Sequence, residues 1–279
     1  MAVVLITGAS SGIGFDAAQK LASQGHKVYA GARRVEKMAA LEAFGVTPLS
    51  LDVTDETSIR SFVSAVYEKE GRIDVLVNNA GFGFFGAIEN VPLEEARRQL
   101  EVNVFGLAAL TREVLPVMRA QRSGRIINTS SIAGRMVLLY GGWYHVSKYA
   151  VEALSDALRI ETKPFGIKVC LIEPGGIKTD WGIIAARHLE ESSRGTAYEK
   201  DALNEAYWME KGYSGLLLSS PKVVTRAISR AVNSRCPRAR YTIGMGACSL
   251  LFLRAVLPTC LWDRFARLLG RLPQASDRT

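Results

Sequence analysis

The sequence predicts a single doubly wound α/β domain with a mostly parallel central sheet, helices on both faces and a C-terminal helical extension. Three observations support this prediction. Short apolar runs alternate with helical stretches as far as Ile172, the first run ends in a glycine-rich turn, and neither an internal repeat nor a low-complexity linker interrupts the chain. Short continuous apolar runs are typical of strands in a parallel sheet that is covered on both faces.

The predicted strands and helices alternate in chain order. Strands are predicted at residues 3–6, 26–30, 46–51, 73–77, 125–128 and 167–172. Helices are predicted from Gly12 onward and over residues 35–44, 55–70, 93–121 and 143–163, the last of which ends at Pro164 and Gly166. Residues 180–215 are rich in aromatic side chains and follow the last predicted strand. We expect them to form a substrate loop, because open α/β sheets bind ligands beyond the carboxyl ends of their strands. The alternative is a surface helix pair whose aromatic side chains only pack.

Composition and charge restrict the class of protein. Of the 279 residues, 48% are hydrophobic and 22% are charged, which is a globular composition. The N-terminus lacks the basic segment of a signal peptide, and the longest uncharged stretch near the C-terminus is too short to span a bilayer, so we expect a cytoplasmic protein. The four cysteines show no metal-ligand spacing, and we therefore expect no metal site.

A glycine-rich turn at residues 7–14, with the sequence TGASSGIG, joins the first predicted strand to the first helix. Its glycines allow a tight turn and a close approach of the backbone to a pyrophosphate. The start of the helix directs N–H groups and the positive end of its dipole at the anion. The turn therefore predicts a Rossmann-type dinucleotide site. Its expected contacts with the cofactor are Gly8, Ser10, Ser11, Gly12, Ile13 and Gly14.

The end of the second predicted strand bears on the choice of cofactor. A dinucleotide fold that holds the adenosine 2′-hydroxyl usually carries an acidic residue there. This sequence has Arg33 and Arg34 instead. A guanidinium matches a 2′-phosphate in charge and in geometry, so we expect NADP(H) to be preferred over NAD(H). The alternative is that both arginines are merely solvated at the start of a helix.

A tyrosine and a lysine indicate acid–base chemistry. Tyr144 and Lys148 are four residues apart in a predicted helix and therefore share one face. A neighbouring ammonium stabilises a phenolate and lowers the pKa of the phenol, so the pair could exchange a proton with a carbonyl or alcohol oxygen. Ser131, at the carboxyl end of a predicted strand, could hold that oxygen, whereas the adjacent Ser130 should point the other way. His145 is expected on another face of the helix.

In order and spacing, these residues resemble the short-chain dehydrogenase/reductase family in its NADP(H)-preferring branch. The matching residues are Thr7, Gly8, Gly12, Ile13, Gly14, Asp52, Asn78, Asn79, Ala80, Gly81, Asn103, Ser131, Tyr144, Lys148, Pro174, Gly175 and Thr179. The resemblance implies that Tyr144 is the general acid/base and that Lys148 tunes it and holds the nicotinamide ribose. It further implies that Ser131 orients the substrate oxygen and that Asn103 kinks its helix and holds a water molecule.

The resemblance also implies cofactor contacts outside the glycine-rich turn. Asp52 would contact the adenine, Asn79 would line the cofactor cleft, and Thr179 would hold the carboxamide. The other implied contacts are Val53, Ala80, Gly81, Tyr144, Lys148, Pro174, Gly175 and Ile177. Alternatives stay open for three of these positions. Asp52 could only cap a turn, Asn103 could be an ordinary polar residue of a helix, and Thr179 could be a helix N-cap.

Apolar side chains surround the predicted nicotinamide site and indicate the class of substrate. The expected substrate contacts are Phe82, Phe84, Ser131, Leu138, Trp143, Tyr144 and Trp181. We therefore expect a hydrophobic ketone, aldehyde or alcohol. The surroundings of Tyr144 and the long C-terminal segment resemble the steroid and retinoid dehydrogenases of the family, which implies a steroid, retinoid or other lipid-like substrate.

The C-terminal segment carries most of the positive charge. We divide the chain into a dinucleotide-binding and catalytic domain at residues 1–245 and a basic amphipathic extension at residues 246–279. Leu261, Phe265, Leu268, Leu269 and Leu272 follow helical spacing, and Arg264, Arg267 and Arg271 lie on the other side. Such a helix most often packs on its own chain. It could also cover the substrate cleft, contact a second subunit or lie on an anionic membrane surface.

Partners and competing functions complete the sequence-based expectations. No nucleic-acid recognition motif accompanies the positive charge, so we expect no nucleic-acid partner. The family resemblance implies a homodimer or a homotetramer. A 3-oxoacyl-thioester reductase that serves an acidic carrier protein is the nearest alternative function, because the basic tail could attract such a carrier. A non-catalytic NADP(H)-binding regulatory or interaction protein is the alternative of another class, although the joint presence of Ser131, Tyr144 and Lys148 favours an enzyme.

Overall fold

The computed structural model describes residues 1–215 and 218–269. Its centre is a seven-stranded sheet in the order β3-β2-β1-β4-β5-β6-β7, and every neighbouring pair of strands is parallel. The strands are β1 Val3–Thr7, β2 Lys27–Ala32, β3 Val46–Ser50, β4 Val75–Asn78, β5 Gly124–Thr129, β6 Ile167–Pro174 and β7 Arg240–Ile243. The predicted doubly wound α/β fold is confirmed, and the sheet is parallel throughout rather than mostly parallel.

Helices cover both faces of this sheet. They are α1 Gly12–Ala22, α2 Glu56–Glu70, α3 Leu93–Leu100, α4 Leu107–Gln121, α5 Gly142–Thr162, α6 Asp180–Ser193, α7 Glu199–Ser214, α8 Lys222–Asn233, α9 Ala247–Val256 and α10 Thr259–Leu269. Strand β1 shows how the two layers arise. Val4 and Ile6 pack into the core beneath α1 and α8, whereas Val3 and Leu5 pack into the core beneath α2 and α4. Both alternating faces of the strand are buried, which explains its continuous apolar sequence.

Four elements differ from the sequence-based prediction. The predicted helix at residues 35–44 is a 3₁₀ segment, Val35–Phe44. A π-helical segment, Glu101–Gly106, interrupts the predicted helix at residues 93–121. The segment predicted as a substrate loop forms the helix pair that was its alternative, α6 and α7. Strand β7 was not predicted, because it lies at the edge of the sheet and alternates polar and apolar residues, all half-buried, instead of forming an apolar run.

The carboxyl ends of four adjacent strands bring the candidate site together. Strand β1 pairs with β2 on one side and with β4 on the other, so the strand order changes direction at β1. Four parallel strands end at the same edge of the sheet: β1 at Thr7, β4 at Asn78, β5 at Thr129 and β6 at Pro174. A crevice at this edge and at this reversal is where doubly wound sheets bind ligands.

The C-terminal helices pack on their own chain beside this edge. Trp262 of α10 is buried, and its indole Nε1 donates to the Val137 carbonyl oxygen over 3.0 Å. Phe265, which belongs to the predicted apolar face of this helix, packs in the same cluster as Trp262. Leu261 and Leu268 of that predicted face are exposed, because the helix buries Trp262 and Ala266 instead. Leu272 and Arg271 lie outside the described residues, and the domain boundary at residue 245 stays a prediction. Among the described helices, none combines the length and the apolar character needed to cross a membrane.

Candidate active site

The glycine-rich turn has the geometry that a phosphate-binding loop requires. Gly8 and Gly12 have φ angles of 67° and 57°, which favour glycine. A Cβ atom on Gly14 would lie 2.4 Å from the Gly8 carbonyl oxygen, so any larger residue would disrupt the turn. Ser11 is the N-cap residue of α1, but its side chain does not cap the helix. The first N–H groups of α1 therefore remain available for an anion at this turn, which also contains Ser10 and Ile13.

Strand β4 supports the turn from the neighbouring position in the sheet. The backbone N–H groups of Asn79 and Ala80 donate to the Thr7 hydroxyl over 3.0 and 2.9 Å. The Asn79 amide donates to the Thr7 carbonyl oxygen over 3.1 Å. A Cβ atom on Gly8 would lie 2.8 Å from Cα of Ala80, so this close contact also requires glycine. Asn79 therefore holds the turn in place, and its amide is committed to the backbone.

The predicted adenosine end of the site lies where β2 and β3 end. Arg33 and Arg34 follow β2 directly and are exposed. The Asp52 carboxylate accepts hydrogen bonds from the backbone N–H and the hydroxyl of Thr54 over 3.0 and 2.7 Å. Burial acts to raise the pKa of Asp52, but these hydrogen bonds and the charge of Arg33 outweigh it and lower the pKa. Asp52 thus caps a turn and also interacts electrostatically with Arg33, while Val53 packs against Gly106.

Asn103 connects this cleft to helix α5, which carries Tyr144 and Lys148. It lies in the π-helical segment and is buried. Its amide donates to the Phe82 carbonyl oxygen over 2.8 Å and to the Ser147 hydroxyl over 3.0 Å, and its carbonyl oxygen accepts from the Phe82 N–H over 3.0 Å. A Cβ atom on Gly81 would lie 3.0 Å from that carbonyl oxygen. The helix is irregular at Asn103, as the family resemblance implies, and all the polar atoms of its side chain bind protein groups.

Ser131, Tyr144 and Lys148 lie together at the carboxyl edge of the sheet. The Lys148 Nζ is 5.7 Å from the centroid of the Tyr144 ring and donates to the Thr129 carbonyl oxygen over 2.9 Å. The Ser131 hydroxyl interacts with the Tyr144 phenol, donates to the Pro174 carbonyl oxygen over 3.3 Å and accepts from the Ala133 N–H over 3.1 Å. The sequence-based expectation that these three side chains meet therefore agrees with the geometry.

Burial controls the protonation of the tyrosine and the lysine. It raises the pKa of Tyr144 above its ordinary value, and the hydrogen bond with Ser131 acts in the opposite direction. The sequence-based expectation of a lowered pKa for this phenol rests on the neighbouring ammonium alone and leaves burial out of account. Burial lowers the pKa of Lys148 to about 8, although the Glu152 carboxylate acts to raise it. A neutral phenol at neutral pH suits Tyr144 to the donation of a proton.

The remaining predicted cofactor residues lie after β6. Pro174 ends that strand, and the Gly175 N–H donates to the Ile243 carbonyl oxygen of β7 over 2.8 Å. Ile177 is buried. Thr179 occupies the N-cap position of α6, as the alternative interpretation held, but its side chain makes no capping hydrogen bond. Its hydroxyl therefore remains available at the start of the helix pair α6–α7.

An aromatic cluster covers Tyr144. The Trp181 ring lies 4.9 Å from the Tyr144 ring between centroids, and Phe85 contacts both rings at 5.7 and 5.8 Å. A Cβ atom on Gly83 would lie 2.5 Å from the Trp181 ring, which is therefore closely packed. Phe85 was not predicted, although it belongs to the GFGFFG run from which Phe82 and Phe84 were chosen. Alternation along an extended run could have indicated that Phe85 shares a side with Gly83.

The other predicted substrate residues make different contacts. Phe84 stacks on His188 of α6 with ring centroids 4.6 Å apart, and Phe82 lies beneath the Arg98 guanidinium at 5.4 Å. Leu138 is half-buried and packs with α9 and α10, and its predicted substrate contact stays a prediction. Trp143 is half-buried in the first turn of α5, and its indole N–H has no hydrogen-bond partner within the described part of the chain.

His145 stabilises the segment that follows Ser131. Its Nδ1 lies 2.9 Å from the Ala133 carbonyl oxygen, and its Nε2 accepts from the Leu138 N–H over 3.1 Å. The ring is thus a neutral tautomer that binds backbone on both sides, and burial lowers its pKa. The expectation that His145 is not a proton relay agrees with these contacts, since neither nitrogen is left for Tyr144.

A buried cluster of charged residues lies one helical turn beyond Lys148, and it was not predicted. The Arg240 guanidinium of β7 pairs with Glu152, Asp156 and Glu173 over 3.1, 2.7 and 3.0 Å. Glu173 is completely buried and also pairs with Arg135 over 3.3 Å. Burial and the neighbouring Glu173 raise the pKa of Glu152, in opposition to Arg240 and to the nearby Ser130 side chain. Part of the C-terminal positive charge therefore neutralises acids inside the fold.

A parallel sheet with a glycine-rich turn after β1 defines a doubly wound dinucleotide-binding protein. Comparison with known proteins narrows this class, since the sequence profile described as short chain dehydrogenase matches residues 2–187. The chain therefore belongs to the short-chain dehydrogenase/reductase family and is an oxidoreductase of that family. Within residues 1–215 and 218–269, no group of His, Cys, Asp or Glu side chains is arranged to hold a metal ion.

Relatives extend over most of the chain. The chain is 38% identical over 271 residues to a Helicobacter pylori protein named "Probable short-chain type dehydrogenase/reductase VdlC", covering 96% of this chain and 98% of that protein. It is 40% identical over 243 residues to the 3-ketodihydrosphingosine reductase of Bacteroides thetaiotaomicron, covering 87% of each. A short-chain dehydrogenase structure from Streptomyces avermitilis is 35% identical, with a TM-score of 0.78 and coverage of 95% and 97%.

Similar structures contain cofactors of both kinds. An alcohol dehydrogenase from Thermococcus sibiricus in complex with 5-hydroxy-NADP is 28% identical, with a TM-score of 0.71 and coverage of 88% and 96%. A short-chain dehydrogenase/reductase from Burkholderia phymatum in complex with NAD is 26% identical, with a TM-score of 0.78 and coverage of 91% and 92%. The family resemblance therefore leaves the choice between NADP and NAD to residues of this chain.

Proposed function

We propose that this protein is an NADP(H)-dependent oxidoreductase that interconverts a hydrophobic ketone or aldehyde and its alcohol. One observation carries the proposal. The Ser131 hydroxyl interacts electrostatically with the Tyr144 phenol at the carboxyl edge of the sheet, and the Lys148 Nζ lies 5.7 Å from the centroid of the Tyr144 ring. A substrate oxygen between these two hydroxyls would be close to a proton donor and to a hydrogen-bonding group.

The glycine-rich turn fits a dinucleotide. Gly8 and Gly14 pack so closely against the backbone that a Cβ atom on either would disturb the turn, a Cβ atom on Gly12 would meet no described protein atom within 4 Å, and the α1 N–H groups are free of a side-chain cap. When bound there, a nicotinamide cofactor supplies or accepts the hydride. In the reductive direction, Tyr144 Oη gives its proton to the carbonyl oxygen, and Ser131 holds that oxygen. Lys148 then stabilises the phenolate that the proton leaves behind.

The aromatic cluster supports an apolar substrate. Phe85 and Trp181 lie against Tyr144, and the Tyr213 ring lies 6.3 Å from Trp181. These rings exclude water from the phenol and would contact a lipid-like carbonyl compound, such as a steroid or a retinoid. The name of the Bacteroides relative, 3-ketodihydrosphingosine reductase, describes the reduction of a lipid ketone, which supports the same class of substrate for this chain.

Arg33 supports a preference for NADP(H). Its exposed guanidinium follows β2 and lowers the pKa of Asp52, so it lies close to the predicted adenosine end. We expect Arg33→Ala to weaken NADPH binding by about 10- to 100-fold, because a charge-assisted hydrogen bond to the 2′-phosphate is lost. NADH binding, measured by titration of the same variant, should change little and serves as the internal control. Equal weakening of both cofactors would contradict the assignment.

The pKa of Lys148 predicts a pH limit for turnover. Because burial lowers this pKa to about 8, the ammonium is lost as the pH rises through that value, and turnover should fall there. Glu152→Gln removes a carboxylate that raises the pKa, so the alkaline limb of kcat/KM should move to lower pH. Asp156→Asn is the matched control, because Asp156 pairs with the same Arg240. An unchanged alkaline limb in Glu152→Gln would contradict this role.

The proposal is tested by NADPH consumption across hydrophobic ketones, aldehydes and β-ketoacyl thioesters. Turnover of hydrophobic ketones or aldehydes is the expected result. Turnover of thioesters alone would instead assign the protein as a 3-oxoacyl-thioester reductase. Tight NADPH binding without any turnover would favour a non-catalytic regulatory or interaction protein and would count against the enzyme proposal.

A homodimer or homotetramer is part of the same proposal. Phe105 of the π-helical segment and Val146 of α5 are large apolar side chains that are 58% and 49% exposed. A second copy that covers these surfaces would remove both side chains from water. Sedimentation equilibrium of the purified protein measures the number of subunits directly.

A further inference from the structure

Helices α9 and α10 leave large apolar side chains in contact with water. Phe252, Val256 and Leu268 are 70%, 55% and 66% exposed, and Leu261 and Leu269 are 44% and 37% exposed. We call these five residues the tail patch. Both helices satisfy their packing through other side chains, since Ala247, Trp262 and Ala266 are buried. The tail patch is therefore apolar surface that the fold of this chain does not need.

Positive charge accompanies the tail patch. Arg264 and Arg267 are exposed on α10, and neither pairs with an acidic side chain among residues 1–215 and 218–269. Arg254 of α9 lies over the Trp262 ring at 5.9 Å, and Asp263 is the acidic residue of the two helices. Arg240 neutralises buried acids, whereas Arg264 and Arg267 are exposed and available to an external anionic partner.

The combination of charge and apolar surface favours a lipid surface over a second copy of the chain. In a two-fold dimer through this face, each tail patch would meet the same patch of the partner, which would bring arginines of equal charge together. Apolar side chains next to arginines suit the boundary between anionic headgroups and acyl chains, where each cation adds to the attraction.

We propose that α9 and α10 bind to the surface of an anionic phospholipid bilayer through the tail patch and its arginines. The contact would be peripheral, because neither helix is long enough to cross a membrane. It would also affect catalysis. Trp262 donates to the Val137 carbonyl oxygen. Ile132 and Met136, which belong to the segment that follows Ser131 in the chain, pack in the same cluster as Trp262. A bound bilayer would therefore lie beside the substrate site.

This second consequence rests on the proposed function, since only a lipid-like substrate benefits from a site beside the bilayer. Such a substrate partitions into the membrane, and docking would shorten its path to Tyr144. The membrane contact itself does not depend on the reaction. It can therefore be measured without turnover, and a failure of either proposal is recognised separately.

The experiment is cosedimentation of the full chain with vesicles of phosphatidylcholine, with or without phosphatidylserine. We expect binding to vesicles that contain phosphatidylserine, and we expect added salt to weaken it. The double variant Phe252→Ser/Leu268→Ser should bind these vesicles at least about tenfold more weakly, because two apolar side chains no longer enter the bilayer. Arg264→Gln/Arg267→Gln should reduce the preference for phosphatidylserine by a similar factor.

A matched control separates specific docking from general hydrophobicity. Phe44→Ser/Leu93→Ser removes a phenylalanine and a leucine that are 45% and 57% exposed on other elements, and it should bind vesicles like the unmodified chain. Failure of the unmodified chain to bind, or equal loss in the control variant, would overturn the proposal. So would dissociation of an oligomer by Phe252→Ser/Leu268→Ser without any vesicle binding, because the tail patch would then belong to a subunit interface. Turnover of a water-soluble carbonyl compound should be the same in all variants.

Discussion

Replacement of Tyr144 by phenylalanine is expected to reduce turnover by about 10²- to 10⁴-fold, the usual contribution of a positioned acid or base. The phenol is buried and interacts electrostatically with Ser131, and its raised pKa keeps the proton on Oη at neutral pH. Phenylalanine lacks that proton but retains the ring that packs against Trp181 and Phe85. The loss should therefore appear in kcat, while NADPH binding and the free energy of unfolding stay close to those of the unmodified protein.

The control for this variant is Tyr149→Phe on the same helix. Tyr149 is 41% exposed, so removal of its hydroxyl should change turnover little. Initial rates with saturating NADPH and titration of NADPH binding provide the two measurements. Turnover near normal in Tyr144→Phe would remove Tyr144 from its proposed role. A parallel loss of NADPH binding would indicate that the substitution acts on the cofactor site and not on proton transfer.

Replacement of Arg240 by methionine is expected to lower the free energy of unfolding by about 3 kcal/mol, the lower end of the range for breaking a buried ion pair. Arg240 faces Glu152, Asp156 and Glu173, and Glu173 is completely buried. Without the guanidinium, Glu152 and Glu173 would repel each other inside the fold. The lower end of the range is appropriate, because the Arg240 side chain is 29% exposed and Arg135 still pairs with Glu173.

The pH dependence distinguishes this cause from lost packing. The pKa of Glu152 is raised in the folded protein, and Arg240 is one of the groups that hold it down. Removal of Arg240 therefore raises it further. A carboxyl whose pKa is raised by folding favours the folded state at acid pH and loses that contribution as the pH rises. The deficit of Arg240→Met should accordingly be smaller at about pH 5 than at about pH 8.

Arg238→Met is the matched control for charge and composition. Arg238 lies two residues before Arg240 and is exposed, so its replacement should change the free energy of unfolding by less than about 0.5 kcal/mol. Chemical denaturation at the two pH values measures both variants. A deficit in Arg240→Met that is the same at both pH values would assign the loss to packing instead of to unpaired acids.

Much of the fold and of the candidate site can be predicted from local sequence. The interior strands β1, β4 and β6 are mostly apolar runs with nearly all residues buried, because a parallel sheet between two helical layers exposes neither face. The glycine-rich turn is recognisable because Gly8 and Gly14 are required by contacts that any Cβ atom would prevent. The spacing of Tyr144 and Lys148 places them on one face of α5, which needs only the helical period.

Other features required the tertiary structure. Phe85, not its neighbours Phe82 and Phe84, packs on Tyr144, and this choice depends on how Trp181 returns from α6 to the site. The direction of the pKa shift of Tyr144 depends on burial by several elements, whereas the sequence showed only a nearby lysine. The side chains of α10 that face inward are those that pack against Ile132 and Met136. The helical period alone does not specify which face of α10 makes this contact.

The sequence by itself determined the parallel α/β architecture, the turn suited to a phosphate and the presence of a serine, a tyrosine and a lysine in catalytic order. These features follow from chain periodicity and from residues close together along the chain. Only the tertiary structure decided the electrostatic surroundings of that site. Glu152, Glu173 and Arg240 come from α5, β6 and the edge strand β7, and their interaction exists only because the sheet aligns these elements. A pairwise Coulomb interaction depends on distance in space, which local sequence does not encode.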